Sequence, residues 1–166
     1  DYHSSTPWEA KTEFPEFFDG VFRENGGVSL IANSIGAFFA LCSLSSFRFG
    51  KVWFISPICD MERLICDMMN WAGVNEAELE RRGEIATSFG ETLSWKYLSY
   101  VRENPIIWKN DTAILYGEND HLTSLDTVRG FSSRIGASLT VMKGGEHWFH
   151  TEEEMAFLDK WLLEGR

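Results

Sequence analysis

Apolar residues recur along this chain in two rhythms, and the switches between them mark its elements. Residues 15–25 put Phe17, Phe18, Val21 and Phe22 at helical spacing behind a proline suited to a first turn, and Gly26-Gly27 stops the run. A compact β-favouring stretch, 28–32, then meets an Ala-, Phe- and Leu-rich run without proline, 35–46, so a strand passes into a helix close to Ser34. Residues 51–55 repeat the strand signal, and Ser56-Pro57 closes it. Between 58 and 105 only helical patterns occur, over 61–71, 76–82 and 92–102. A strand over 112–116, a helix over 122–134 and a strand over 138–142 follow. The last helix, 151–163, opens at Thr151 with Glu153 and Glu154 in its first turn.

Strands that alternate with helices predict an α/β fold: a parallel sheet of about four strands with helices on both faces, all in one domain, 1–166. In such a sheet every strand points the same way, so the loops that follow the strands gather along one edge, where ligands bind. Ser34 follows the first strand, Asp120 the third and His147 the fourth.

Composition narrows the partners. The 44% apolar content, with 7 Trp and 13 Phe, is enough for a real core in 166 residues. A net charge of -10, with no run of Lys or Arg to offset it, repels phosphate backbones and anionic lipid, which argues against nucleic acid and membranes as partners. No stretch approaches the roughly 20 apolar residues of a membrane span, and the Asp1-Tyr2-His3 start is polar rather than signal-like. Cys42, Cys59 and Cys66 sit among apolar residues at no metal-ligand spacing, as buried free thiols do in a reducing compartment. A cytoplasmic protein is the expectation.

The chemistry lies in three loops. Ala32-Asn33-Ser34-Ile35-Gly36 is a nucleophile-elbow pattern with Ala for the first Gly, in the strand-to-helix context that the motif needs. A sharp turn would lift the hydroxyl above the sheet, small Ala32 and Gly36 would let strand and helix pass closely, and the Ile35 amide would point at an oxyanion. A serine hydroxyl is barely ionised at neutral pH, so it needs a base, and the base needs a group to fix its tautomer. Asp120, in Tyr116-Gly117-Glu118-Asn119-Asp120, and His147, in Lys143-Gly144-Gly145-Glu146-His147, are available in the order Ser, Asp, His.

Together "ANSIGAFF", "FISPICDM", "ILYGENDHLT" and "GGEHWFHTEEE" resemble a bacterial α/β-hydrolase family of small serine hydrolases, over essentially the whole chain from Thr6. The resemblance implies a Ser34–His147–Asp120 triad, a helical cap over about 58–108 and a small-molecule acyl substrate, a carboxylic ester or thioester, with no cofactor. It also implies a departure. A complete sheet of that kind has about eight strands with the nucleophile after the fifth, whereas four are read here, so an unpaired edge is expected beside the Val28 strand. Residues 1–14, with Trp8 and Phe14, would fold back along that edge, or two chains would pair there as a homodimer.

Other readings compete residue by residue. Asp120 could simply cap the helix near Leu122, with Glu118 as the rival carboxylate, and His121 and His150 are rivals to His147. A metal site would need spacings that these residues lack, so none is expected. Asp60 reads as the cap of the helix at Met61, Asn33 as an elbow residue, and Glu146 as exposed or bonded to a neighbouring loop. Met61, Met68, Trp95 and Trp148 either pack or line an apolar substrate pocket.

Overall fold

A computed structural model of the chain describes residues 5–165. Its order is α1 (Pro7–Glu24), β1 (Leu30–Asn33), α2 (Ser34–Ser43), β2 (Val52–Ile55), α3 (Met61–Ala72), α4 (Glu76–Arg82), β3 (Glu84–Ala86), β4 (Thr92–Ser94), α5 (Trp95–Glu103), β5 (Thr112–Gly117), α6 (Leu125–Ile135), β6 (Ser138–Met142) and α7 (Glu152–Glu164). The four expected strands form one parallel sheet in the order β1-β2-β5-β6, with Ala32 opposite Phe54, Phe54 opposite Ile114, and Ile114 opposite Leu139.

Period-2 alternation divides this sheet between two cores. Val52, Phe54, Ile114 and Tyr116 face Ala37, Ala40 and Leu41 of α2 and Val128 and Phe131 of α6, with Phe14, Phe18 and Phe22 of α1 packed behind. Ile55 and Leu115 take the opposite face, against Met142, Phe149 and the α7 residues Phe157, Leu158 and Trp161. Every residue of β2 and β5 is therefore buried, as a parallel sheet covered on both sides requires. β1 forms an edge of the sheet, where Ile31 is 56% exposed. A second apolar cluster joins Phe38 and Phe39 of α2 to Met61, Ile65 and Met69 of α3, Leu79 of α4, Ile85, Leu93 and Leu98. Thus α2 is buried between two cores.

Three local expectations are corrected. The first helix begins at Pro7, not Pro15, because Thr6 and Glu9 form a capping box with Pro7 in the first turn, and Pro15 lies inside the helix. Residues 7–14 consequently pack inward: Ala10 and Phe14 join the α2 side, Phe14 meets Phe39 edge-on, and Trp8 meets Tyr97 and Tyr100. They do not run along the β1 edge, and residues 1–4 lie outside the described residues. The stretch read as purely helical also contains the β3–β4 hairpin, so α5 starts at Trp95 rather than Thr92. Strands of three residues bury one apolar residue each, Ile85 and Leu93, which is too few to register as alternation.

Pro15 removes one intrahelical hydrogen bond and crowds the preceding turn. Pro15→Ala should raise stability by about 1–3 kcal/mol in urea unfolding, and a loss would mean that α1 needs the proline to pack on α2.

Candidate active site

β1 ends at Asn33, and α2 begins with Ser34 itself in the left-handed region at φ 49°. A non-glycine residue there is strained by about 1–3 kcal/mol and persists only where its surroundings hold it. Here the burial of α2 on two sides holds it, and the Ile58 amide donates to the Ser34 carbonyl at 3.1 Å. Close passage at Gly36 is not part of the device, contrary to expectation: a Cβ added there would meet nothing within 4 Å. The Ile35 amide lies in the first turn of α2, where amides have no intrahelical acceptor.

Ser34 Oγ lies 2.8 Å from His147 Nε2, and His147 Nδ1 lies 2.7 Å from Asp120 Oδ2. All three residues are buried. The other carboxylate oxygen of Asp120 accepts from the amides of Leu122 at 2.8 Å and Thr123 at 3.2 Å. Asp120 therefore both caps the turn ahead of α6 and faces the imidazole, and that turn delays the helix to Leu125. Tyr116 braces the turn from below by donating to the Thr123 carbonyl at 2.7 Å. Burial first, and then the charge of Asp120, pushes the Tyr116 phenol up to about 12, so it remains a donor at any ordinary pH.

The acid loop and the base loop are joined backbone to backbone. The Asn119 amide donates to the Gly145 carbonyl at 2.8 Å, and Glu118 Oε2 accepts from the Gly144 amide at 2.9 Å. At their crossing, a Cβ on Gly117 would lie 2.5 Å from the Glu146 carbonyl oxygen and 2.6 Å from that of Gly145. Only glycine fits at this point. Neither Gly117 nor the Glu118 contact was singled out in the sequence, where a glycine after a strand is too common to signal a crossing.

The rival residues have other work. Asp60 caps α3 through the Arg63 amide at 3.0 Å, Glu118 holds the base loop, and His121 is exposed. His150 has an exposed side chain, with Nδ1 3.7 Å from Glu154. Met61 is buried in the second core, and Met68 and Trp95 pack against it. Trp148 is 63% exposed and meets the His147 ring edge-on at 4.9 Å. Two concave regions of about 630 and 510 Å³ lie elsewhere, one beside α1 and Phe47, the other at the β1 edge by Ile31 and Trp53. Neither is lined by Ser34, Asp120 or His147, and hydrogen bonding rather than cavity size marks the site.

Solved structures share this arrangement of elements. The chain superposes on mouse alpha/beta hydrolase domain-containing protein 10 with a TM-score of 0.74 and 14% identity, covering 97% of this chain and 69% of that one. The chain has the α/β-hydrolase fold. Est1E from Butyrivibrio proteoclasticus matches with a TM-score of 0.74 and 14% identity, over 98% of this chain and 72% of its own. MGS-MChE2, an α/β hydrolase enzyme from a lagoon-sediment metagenome, matches at 0.57 with 20% identity, over 97% and 71%. No family model and no curated protein matches the sequence. Among the described residues of this α/β-hydrolase fold, no helix is long and apolar enough to cross a membrane.

Two outcomes follow from the loops. Gly117→Ala should destabilise the protein by about 1–3 kcal/mol in urea unfolding, whereas Gly130→Ala, in open space on α6, should be neutral or stabilising by up to ~1 kcal/mol. Glu154 accepts three backbone amides and the Thr151 hydroxyl, and these bonds, led by that from Glu146, hold its carboxyl at about 2 against an ordinary 4.5. A depressed folded value stabilises above the unfolded pKa. Glu154 should therefore contribute fully above about pH 4.5 and lose its contribution as pH falls towards 2. Glu154→Gln should flatten that part of the stability-against-pH curve.

Proposed function

We propose that this protein is a serine hydrolase that cleaves a carboxylic ester or thioester through an acyl-enzyme. The observation that carries the reading is the unbroken chain from hydroxyl to imidazole to carboxylate, at 2.8 and 2.7 Å, at the ends of three parallel strands. Both distances fall within the reach that general-base catalysis needs before substrate arrives. In the proposed mechanism Asp120 holds the ring proton on Nδ1, which leaves Nε2 free to accept. Ser34 Oγ attacks the acyl carbonyl as its proton moves to Nε2, and His147 returns that proton to the leaving alcohol or thiol. Water then attacks the acyl carbon as its proton moves to the same nitrogen, and the acyl–Oγ bond breaks as His147 returns that proton to Ser34 Oγ and the acid leaves.

The oxyanion is assigned to the Ile35 amide at the start of α2, where a helix N-terminus favours negative charge. Thiol chemistry fits less well, because burial pushes both Cys42 and Cys59 up to about 12. The segment of about residues 58–108, between β2 and β5, is assigned as the cap. Trp148, exposed beside the His147 ring, is the side chain best placed to meet an acyl or aryl group, while Met61, Met68 and Trp95 pack within the cap.

Hydrolysis of p-nitrophenyl esters of increasing acyl length tests both turnover and pocket. Wild type should turn over and label at Ser34 with a fluorophosphonate. Ser34→Ala should lose labelling, with kcat down at least ~10⁴-fold, and Asp120→Asn should lose about 10⁴-fold. A Ser34 that resists the probe would instead mark a binding module without turnover. Release of an ester in the presence of an alcohol would make the protein an acyltransferase using the same residues.

A further inference from the structure

We propose that Glu154 is a positioning residue for His147: one buried carboxylate, reaching back from α7, grips the base loop on both sides of the imidazole. The proposal rests on the serine-hydrolase reading and adds to it the group that fixes the base. Oε1 accepts from the Glu146 amide at 2.7 Å, one residue before His147. Oε2 accepts from the amides of His150 at 3.0 Å and Thr151 at 2.9 Å, and from the Thr151 hydroxyl at 2.8 Å. The carboxylate thus takes four hydrogen bonds, all from donors in residues 146–151, one at Oε1 and three at Oε2.

The two oxygens do different things. Oε2 completes an N-terminal capping box, since the Thr151 hydroxyl also accepts from the Glu154 amide at 3.2 Å. A cap needs nothing more. The bond from Oε1 lies eight residues back along the chain and outside the helix entrance, so capping gives it no reason to exist. Burial points the same way: Glu154 is only 4% exposed, in a helix whose neighbouring Glu152 and Glu153 are exposed. Isolated carboxylates avoid such sites unless they are fully hydrogen-bonded.

The loop also needs holding. Phe149, two residues after His147, is in the left-handed region at φ 45°, with its ring buried against Leu115 and Met142. The acid loop grips the other end, through Glu118 to the Gly144 amide and Asn119 to Gly145. Between Gly145 and Phe149, the Glu146 amide is where a bond from α7 reaches the backbone next to the imidazole.

Glu154→Gln separates the two roles. Its amide oxygen can keep the cap, which glutamine also serves, while its NH₂ would then face the Glu146 amide, donor against donor. In the full chain, Glu154→Gln should lower kcat for p-nitrophenyl acetate by about 10–100-fold with KM within a factor of two, the cost of a base displaced by a fraction of an ångström. The low-field NMR resonance of the His147 Nδ1 proton should broaden or vanish. The exposed Glu153→Gln, with the same charge change, should leave both unchanged. In wild type, the Glu146 amide should exchange with deuterium far more slowly than a free loop amide, a measurement that needs no variant to fold. The proposal is overturned if Glu154→Gln keeps kcat and the resonance and loses only thermal stability, or if the Glu146 amide exchanges freely. A wild type that turns over no ester defeats the hydrolase reading, while the resonance and the exchange rate still decide the role of Glu154.

Discussion

The crossing of two loops at Gly117 is the contact on which the site depends. Asp120 and His147, 27 residues apart in sequence, meet at 2.7 Å here on two loops whose backbones are in direct contact. At the crossing the space for a Cβ on residue 117 is occupied by two carbonyl oxygens, those of Gly145 and Glu146. Parallel pairing of β5 with β6, with Gly117 opposite Met142, brings both loops out at the same level. The hydrogen bonds between 118–119 and 144–145 then hold them together. The sheet supplies coarse alignment, and the missing side chain supplies the last ångström.

The third member of the chain is held by a different mechanism. Ser34 sits in an unfavourable backbone conformation, and the helix it begins is buried against the sheet on one side and against α3, α5 and the β3–β4 hairpin on the other. Burying several large apolar side chains, each contributing roughly 1.5–3 kcal/mol, readily offsets one strained residue. Packing of the segment between β2 and β5 is thereby coupled to the serine: Phe38 and Phe39, on the helix that Ser34 opens, belong to the same cluster as Met61, Leu79 and Leu98. Loosening that segment would loosen the elbow as well.

Much of this was legible in the sequence because it depends on periodicity and on local chemistry. The two inner strands of the parallel sheet are legible because each is an apolar run next to a turn signal, as strands buried on both faces must be, and the outer two because their β-favouring runs alternate with helices. Ser34, Asp120 and His147 were legible because strand ends are where such a sheet collects ligand-binding residues. The β3–β4 hairpin was not, since three-residue strands with one buried side chain each carry no period. Pro15 misled for a related reason: a proline is a reliable opener of helices, but Thr6, Pro7 and Glu9 form a stronger start eight residues earlier.

By itself, then, the sequence determined the alternation of strands and helices, the sheet that follows from it, and which three side chains stand at strand ends. Those are properties of neighbours along the chain. Tertiary structure alone decided that Gly117 must have no side chain, that Glu118 binds the base loop rather than the imidazole, and that Glu154 reaches Glu146 as well as Thr151. Each of these depends on which backbone lies within about 3 Å of which side chain after the sheet has closed, and no spacing in a linear chain encodes that distance.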